Sequence, residues 1–162
     1  MSRLVLTILA VCGVGAAGCQ STSSPESAST SMENESITPV LHEGYTGFSK
    51  PGRFVVREAA EWVEVWRRAY VGRSEIPERP QIDFTREIVV VAAQGAQPSG
   101  GYDIEIERVA AGDGELNVYV LSTSPAPSCG VLTVITSPVV MVRVTRWQDV
   151  EFVEKSRIAP CE

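Results

Sequence analysis

Hydrophobic residues are continuous in one stretch of the chain and alternate with polar residues in the stretch that follows. Residues 88–93 are apolar without interruption, which is typical of a strand that is buried on both faces. A glycine-containing connection follows over residues 95–101. Residues 102–107, YDIEIE, then alternate strictly between apolar and acidic side chains. This alternation predicts a half-buried strand beside the buried one.

The clearest helix is predicted over residues 58–71, EAAEWVEVWRRAYV. Its apolar residues recur at the i, i+3, i+4, i+7 spacing and form one stripe, which consists of Ala59, Trp62, Val63, Trp66, Ala69 and Tyr70. Glutamates stand in its first turn and arginines in its last, each at the favourable end of the helix dipole. Because both tryptophans lie on the stripe, packing on a sheet explains them better than partner binding does.

The remaining predicted strands are short and separated by turn residues. They cover residues 53–57, 116–123, 131–135, 139–146 and 150–154. The Gly-Asp-Gly run at residues 112–114 indicates a hairpin. One helix among several antiparallel strands predicts an α+β fold, with the amphipathic helix packed on a curved, mainly antiparallel sheet or on a small sandwich or barrel. The buried strand requires a second layer on the face opposite the helix.

The first residues have the features of an export signal. Arg3 precedes an apolar run, residues 4–14, which is too short to span a membrane and fits a secretory signal. The run leads to residues 16–19, AAGC, which resemble a bacterial lipobox. We therefore expect residues 1–18 to be a lipoprotein signal peptide and Cys19 to carry the lipid. An ordinary cleavable signal with a coincidental cysteine is the alternative.

A spacer is predicted between Cys19 and the domain. Ten of the nineteen residues 20–38 are Ser or Thr, and such a segment buries too little apolar surface to fold. We expect residues 19–38 to be a lipidated cysteine with a flexible tether, and residues 39–162 to be the α+β domain. Gln20, rather than Asp, follows the cysteine, which favours the outer membrane, facing the periplasm, over the inner membrane.

The charge of the chain argues against one class of partner. With 14 Lys and Arg against 20 Asp and Glu, the net charge is -6. An acidic chain is not expected to bind nucleic acid or to be held on anionic lipid by basic residues. Asp103, Glu105 and Glu107 share one face of a strand and are expected to be solvated, with a calcium site or a surface for a basic partner as alternatives.

The cysteines favour a disulfide over catalysis. With Cys19 lipidated, Cys129 and Cys161 remain as an even pair in an oxidising compartment, and we expect them to be bonded. A nucleophilic Cys129 with His42 is the rival interpretation, but no Cys-His motif occurs and nothing places the two together. No ligand spacing indicates a metal, and no motif indicates a cofactor or a catalytic residue.

The second half of the chain resembles a known family over roughly residues 88–144. The resemblance is carried by the strand at residues 88–92, by Ser99, Gly100, Gly101 and Tyr102, by residues 131–136, and by the run SPVVMVRV from Ser137. This pattern is similar to the PrcB C-terminal domain family, and the tryptophan-bearing helix is similar to one often found ahead of that domain. The family takes its name from a lipoprotein subunit of a secreted protease complex, which assists maturation or stability of a protease. The resemblance implies a non-enzymatic, envelope-facing accessory or binding module.

Ser99, Gly100, Gly101 and Tyr102 form the candidate docking loop. Their glycines permit positive φ angles or a close approach by another backbone, and neither a nucleophile elbow nor a phosphate-binding loop surrounds Ser99. We expect the domain to dock an unidentified envelope or secreted protein, with a protease as the candidate, through a strand edge or this loop. A hydrolase with an unrecognised site and a self-associating structural envelope protein are the alternatives.

Overall fold

The computed structural model describes residues 33–161. The elements in this part of the chain are β1 Glu33–Asn34, β2 Thr38–Glu43, β3 Gly52–Val56, α1 Ala59–Ala69, β4 Glu87–Ala93, β5 Asp103–Gly112, β6 Glu115–Pro125, β7 Val139–Thr145 and β8 Val150–Ala159. None of the described residues forms a helix long and apolar enough to cross a membrane. The predicted signal peptide, the predicted lipidation site Cys19 and residues 20–32 of the predicted tether lie outside the described residues.

The strands form two sheets that pack face to face. One sheet has the order β1-β5-β6-β8, and the other has the order β2-β7-β4-β3. Neighbouring strands are antiparallel except for β6 and β8, which run parallel. The two sheets remain open at their sides and do not close into a barrel. The predicted α+β fold, with one helix on a mainly antiparallel sheet structure, is confirmed.

Strand β4 contributes to two separate cores. Its side chains alternate between the faces of the sheet, as in any strand. Val89, Val91 and Ala93 pack with the helix. Ile88 and the other even-numbered residues up to position 92 pack against the facing sheet. All six are fully buried, so the prediction that this strand is covered on both faces is confirmed.

The buried face of α1 is centred on its two tryptophans. Trp62 is 0% exposed and Trp66 is 5% exposed, so the prediction that they belong to the core is confirmed. The predicted stripe is wrong at one edge, because Ala59 is exposed while Val65 is buried. The helix also begins one residue later and ends two residues earlier than predicted.

The loop after α1 satisfies both indole N–H groups. Trp62 Nε1 donates to the carbonyl of Pro80 and Trp66 Nε1 donates to that of Pro77, each at 3.0 Å. Burial would otherwise leave these donors unpaired at a substantial free-energy cost. Tyr70 continues the aromatic row, with its ring centroid 4.9 Å from that of Trp66. Burial raises the pKa of Tyr70, with Glu43 adding to the rise and Arg73 opposing it.

The hairpin predicted at residues 112–114 is present. Gly112 pairs with Glu115, which leaves a two-residue turn between β5 and β6. Both turn residues have positive φ angles, 52° at Asp113 and 86° at Gly114. An Asp-Gly turn of this kind matches the twist of antiparallel strands, which explains its place here.

Residues 131–135 do not form a strand, contrary to the prediction. The N–H of Val134 donates to the carbonyl of Leu132 at 2.9 Å, so the backbone turns instead of running extended. The next residue along, Thr136, forms an isolated bridge with Gln97. The apolar run VLTVI has the composition of a strand, but no neighbouring strand pairs with it among the described residues.

Two strands extend beyond the predicted limits. Strand β8 continues to Ala159, five residues past the predicted end at residue 154. At the other end of the chain, Glu33 and Asn34 pair with Ala111 and Ala110, so strand pairing begins inside the predicted spacer. Pairing with β5 explains this, because the spacer was predicted from local composition alone.

Candidate functional site

One end of the molecule exposes a group of aliphatic side chains on a loop. Val131, Leu132, Val134 and Ile135 are all exposed, and Leu132 and Ile135 are 75% and 71% exposed. The exposed side chains of Tyr45 and Val71 line a surface depression together with Ile135. We call this surface the apolar end, made of Tyr45, Val71, Val131, Leu132, Val134 and Ile135.

The backbone of this loop is held at both sides. The N–H of Gly100 donates to the carbonyl of Leu132 at 2.9 Å. Thr136 exchanges two backbone hydrogen bonds with Gln97, at 2.8 and 3.1 Å. The hydroxyl of Thr136 also donates to the carbonyl of Ser99 at 2.9 Å. The exposed aliphatic side chains therefore stand on a fixed backbone and not on a free loop.

A disulfide fixes the start of the loop, as predicted. Cys129 and Cys161 are bonded, with their Cα atoms 5.1 Å apart. The N–H of Ala126 also donates to the carbonyl of Ala159 at 3.0 Å, which ties the proline-rich loop to the end of β8. Because the sulfur of Cys129 is bonded to Cys161, this structure does not support the nucleophile interpretation.

His42 pairs with Asp103 and not with Cys129. Its Nε2 lies 2.7 Å from Oδ1 of Asp103, and both side chains are largely exposed. The pair joins β2 of one sheet to β5 of the other. His42 therefore has a local structural partner, and the structure does not bring it to Cys129.

The acidic face of β5 consists of partly exposed side chains with different partners. Asp103 pairs with His42, and Glu107 lies 3.4 Å from Nζ of Lys155. Within residues 33–161, no group of three or more His, Cys, Asp or Glu side chains is arranged to hold a metal ion. Elsewhere, hydrogen bonds from Thr85 lower the pKa of Asp83, which is a turn-stabilising arrangement.

The candidate docking loop lies beneath the apolar end. Gly101 has a φ of 82°, and a Cβ there would lie 3.0 Å from Cβ of Pro125 and 3.2 Å from Cγ1 of Val131. The expected positive φ and close approach are thus both found at this glycine. Ser99 uses its hydroxyl to donate to the carbonyl of Gly100 at 3.1 Å. The structure places Ser99, Gly100, Gly101 and Tyr102 as the support of the neighbouring loop.

Comparison with protein families finds a similarity in the second half of the chain. Residues 88–145 match the family model described as PrcB C-terminal. This segment, which we call the PrcB segment, is similar to the PrcB C-terminal family. The PrcB segment runs from the second residue of β4 to the end of β7 and contains the candidate docking loop and the four loop residues of the apolar end, whereas α1 and β8 lie outside it. Neither a curated protein nor a solved structure matches the chain.

Sequence reasoning missed the exposure of residues 131–135 in the PrcB segment. The run VLTVI was interpreted as a strand because its composition favours one. The available signal was its position between the Cys129-Gly130 pair and the Thr-Ser-Pro break at residues 136–138. A short apolar run bounded by breakers on both sides fits a loop as well as a strand.

Replacing Gly101 with alanine is expected to destabilise the PrcB segment more than replacing Gly114. Both glycines have positive φ, at which alanine is strained by roughly 1–2 kcal/mol. Only the Gly101 substitution adds a close contact, with Pro125 and Val131, since the space around Gly114 is open to 4 Å. Chemical denaturation of the two variants measures the difference. Equal losses of stability in the two variants would show that the close packing at Gly101 does not contribute to the free energy of unfolding.

Proposed function

We propose that this chain is a non-catalytic accessory subunit of a protease complex, and that it docks a protein of that complex through the apolar end. The observation that carries the proposal is the match of residues 88–145 to the PrcB C-terminal family, combined with exposed aliphatic side chains inside that segment. The resemblance suggests an accessory role beside a protease. The chain is further proposed to be a lipoprotein attached through Cys19 to the outer membrane, facing the periplasm.

The character of the apolar end supports docking to a protein. Exposed apolar side chains are ordinary when scattered, but a contiguous group is typical of an interaction surface. Here the exposed aliphatic side chains of the loop stand on a backbone that is fixed by a disulfide and by backbone hydrogen bonds to Gln97 and Gly100. A surface that is already ordered loses less conformational entropy when a partner binds, so more of the burial energy appears as affinity.

The position of the chain's entry into the fold favours a protein over the lipid surface as the occupant. Glu33 pairs with Ala111 near the β5–β6 hairpin, whereas the apolar end lies near Asp103, where β5 begins. The eight residue steps from Asp103 to Ala111 separate these points by roughly 26 Å. A lipid on Cys19 would therefore be joined to the end of the domain opposite the apolar end, which leaves that end open to a partner.

The state of the two candidate catalytic side chains supports a non-enzymatic role. His42, the single histidine of the chain, is hydrogen-bonded to Asp103. Cys129 forms a disulfide with Cys161. Neither is placed to activate the other, so no observation favours the hydrolase alternative. Self-association through the apolar end is the remaining alternative, and it is an outcome of the experiment below.

Replacing Leu132 and Ile135 together with aspartate is expected to reduce recovery of the protease partner by about tenfold or more. Truncating or charging central aliphatic contacts commonly removes over 1.4 kcal/mol of binding energy, which corresponds to a factor of ten. The measurement is crosslinking in the native envelope, followed by purification of the chain and identification of its adducts. Ile76→Asp is the matched control, because Ile76 is 49% exposed on a different loop and is expected to leave recovery unchanged.

Two results would contradict the proposal. The first is equal recovery of the partner by the Leu132/Ile135 variant and by the wild type. The second is light scattering that shows a stable oligomer of the wild type which the double variant alone disrupts, since this would assign the apolar end to self-association. Circular dichroism of each variant checks that the fold is retained.

A further inference from the structure

A groove with a volume of about 420 Å³ lies between β2, an edge strand of its sheet, and the part of β5 that β1 does not cover. Ile37, which precedes β2, and Ile106 of β5 form its walls, and Val140 and Val142 of β7 lie between them. Its size is within the range of sites that hold a small ligand or one or two side chains. The groove lies apart from the apolar end, on the side of the sandwich where β2 and β5 meet.

Contacts between the two sheets close the groove at its ends. His42 and Asp103 span it at one end, with 2.7 Å between Nε2 and Oδ1. At the other end, the N–H of Glu35 donates to the carbonyl of Val109 at 3.0 Å, and the chain then crosses from β1 to β2. The groove is therefore a bounded slot with an apolar interior.

The rim of the groove carries a carboxylate that has no partner among the described residues. Asp103 is bonded to His42, and Glu107 is 3.4 Å from Nζ of Lys155. The carboxylate of Glu105, which lines the groove between them, makes no hydrogen bond or ion pair with any residue of 33–161. Its side chain is half-buried, which strengthens its attraction for a cation relative to a fully exposed carboxylate.

The strand edges beside the groove are poor templates for an added strand. The register of β2 shifts between Pro39 and Leu41, and that of β5 shifts between Ile106 and Arg108. Bulges and proline at an edge interrupt the row of backbone hydrogen-bonding groups that strand addition needs. Recognition at this place therefore depends on side chains.

We propose that the groove binds an extended segment of a protein partner, which places an aliphatic side chain between Ile37 and Ile106 and an adjacent Lys or Arg side chain against Glu105. The apolar walls select the first side chain, and the unpaired carboxylate selects the second. This inference rests on the proposed function, since it assumes that the chain docks a protein, and it adds a second contact with a defined chemical preference.

The test uses the full chain carrying Cys19→Ser, with two probes of equal size. N-acetyl-leucyl-lysine amide and N-acetyl-leucyl-glutamate amide are titrated while the methyl resonances of Ile37, Ile106 and Val142 are followed by NMR. The lysine peptide is expected to shift all three and to bind about two- to fivefold more tightly than the glutamate peptide, which is the range of a partly exposed ion pair. Glu105→Gln is expected to remove this preference, and raised salt is expected to weaken it.

Glu151→Gln is the matched control, because Glu151 is an exposed carboxylate on β8, away from the groove, and should leave the preference intact. Unshifted methyl groups at saturating peptide, or equal affinity for both peptides, would overturn the inference. Tighter binding of sodium octanoate than of either peptide would overturn it as well, by showing that the groove takes an acyl chain. Absence of the preference in the chain with an intact Glu105, while the partner is still recovered, would refute the groove alone. A preference without any partner recovery would refute the proposed function.

Discussion

Replacing Trp62 with alanine is expected to lower the free energy of unfolding by about 3–5 kcal/mol. The side chain is 0% exposed and belongs to the core between α1 and β4. Its indole also donates to the carbonyl of Pro80, so the substitution leaves a cavity and removes a contact that holds the following loop. Urea denaturation followed by circular dichroism measures the loss, because fluorescence would change with the tryptophan itself.

Two variants separate the contributions to this loss. Trp62→Phe keeps an aromatic ring in the core but removes the hydrogen bond to Pro80, and is expected to be intermediate. Glu64→Ala alters an exposed position of the same helix and is expected to change stability by less than about 0.5 kcal/mol. A loss below about 1 kcal/mol for Trp62→Ala would mean that the helix does not pack on the sheet as described.

Removing the disulfide is expected to lower the free energy of unfolding by about 3–4 kcal/mol. The bond joins residues 32 positions apart, and without it the unfolded chain gains the conformational entropy of the open loop. The double variant Cys129→Ala with Cys161→Ala tests this by denaturation. Hydrogen exchange in residues 131–135 is also expected to become faster, because the bond fixes the start of the loop that carries the apolar end.

Reduction of the wild type provides the control for this prediction. Dithiothreitol is expected to bring the stability of the wild type down to that of the double variant, and to leave the double variant unchanged. If the wild type has the same stability with and without reductant, the bond contributes nothing, and another contact must hold the apolar end.

The elements found from the sequence are those encoded by local patterns. The uninterrupted run at residues 88–93 indicated burial on both faces, because a strand with one solvated face would alternate. The tryptophans at positions 62 and 66 indicated the buried face of the helix through their spacing. The Gly-Asp-Gly run indicated the hairpin, since its turn needs residues that tolerate positive φ.

The features that the sequence did not reveal depend on contacts between distant residues. His42 and Asp103 are 61 residues apart, and neither has a local motif that points to the other. The parallel pairing of β6 with β8 requires the chain to pass through β7 in the opposite sheet, which no local pattern specifies. The exposure of residues 131–135 reflects the absence of a neighbouring strand within residues 33–161, whereas their composition favours burial.

The candidate site could be predicted only in part, because the exposure of its side chains depends on how the whole domain packs. Glycine, proline and alternation specify the backbone of the PrcB segment, so the resemblance found the segment and placed Gly101 correctly. The exposed surface that a partner would contact is specified by which side chains remain uncovered after folding. That information depends on the packing of the whole domain, and it came only with the structure.

The most direct test of the central claim is a photo-activated crosslinker placed at position 132 in the native envelope. The account predicts a discrete adduct with a protease or another subunit of its complex from position 132, and none from the same crosslinker at position 76. Absence of any adduct from position 132, or the same adducts from both positions, would contradict the claim that the apolar end docks a protease complex.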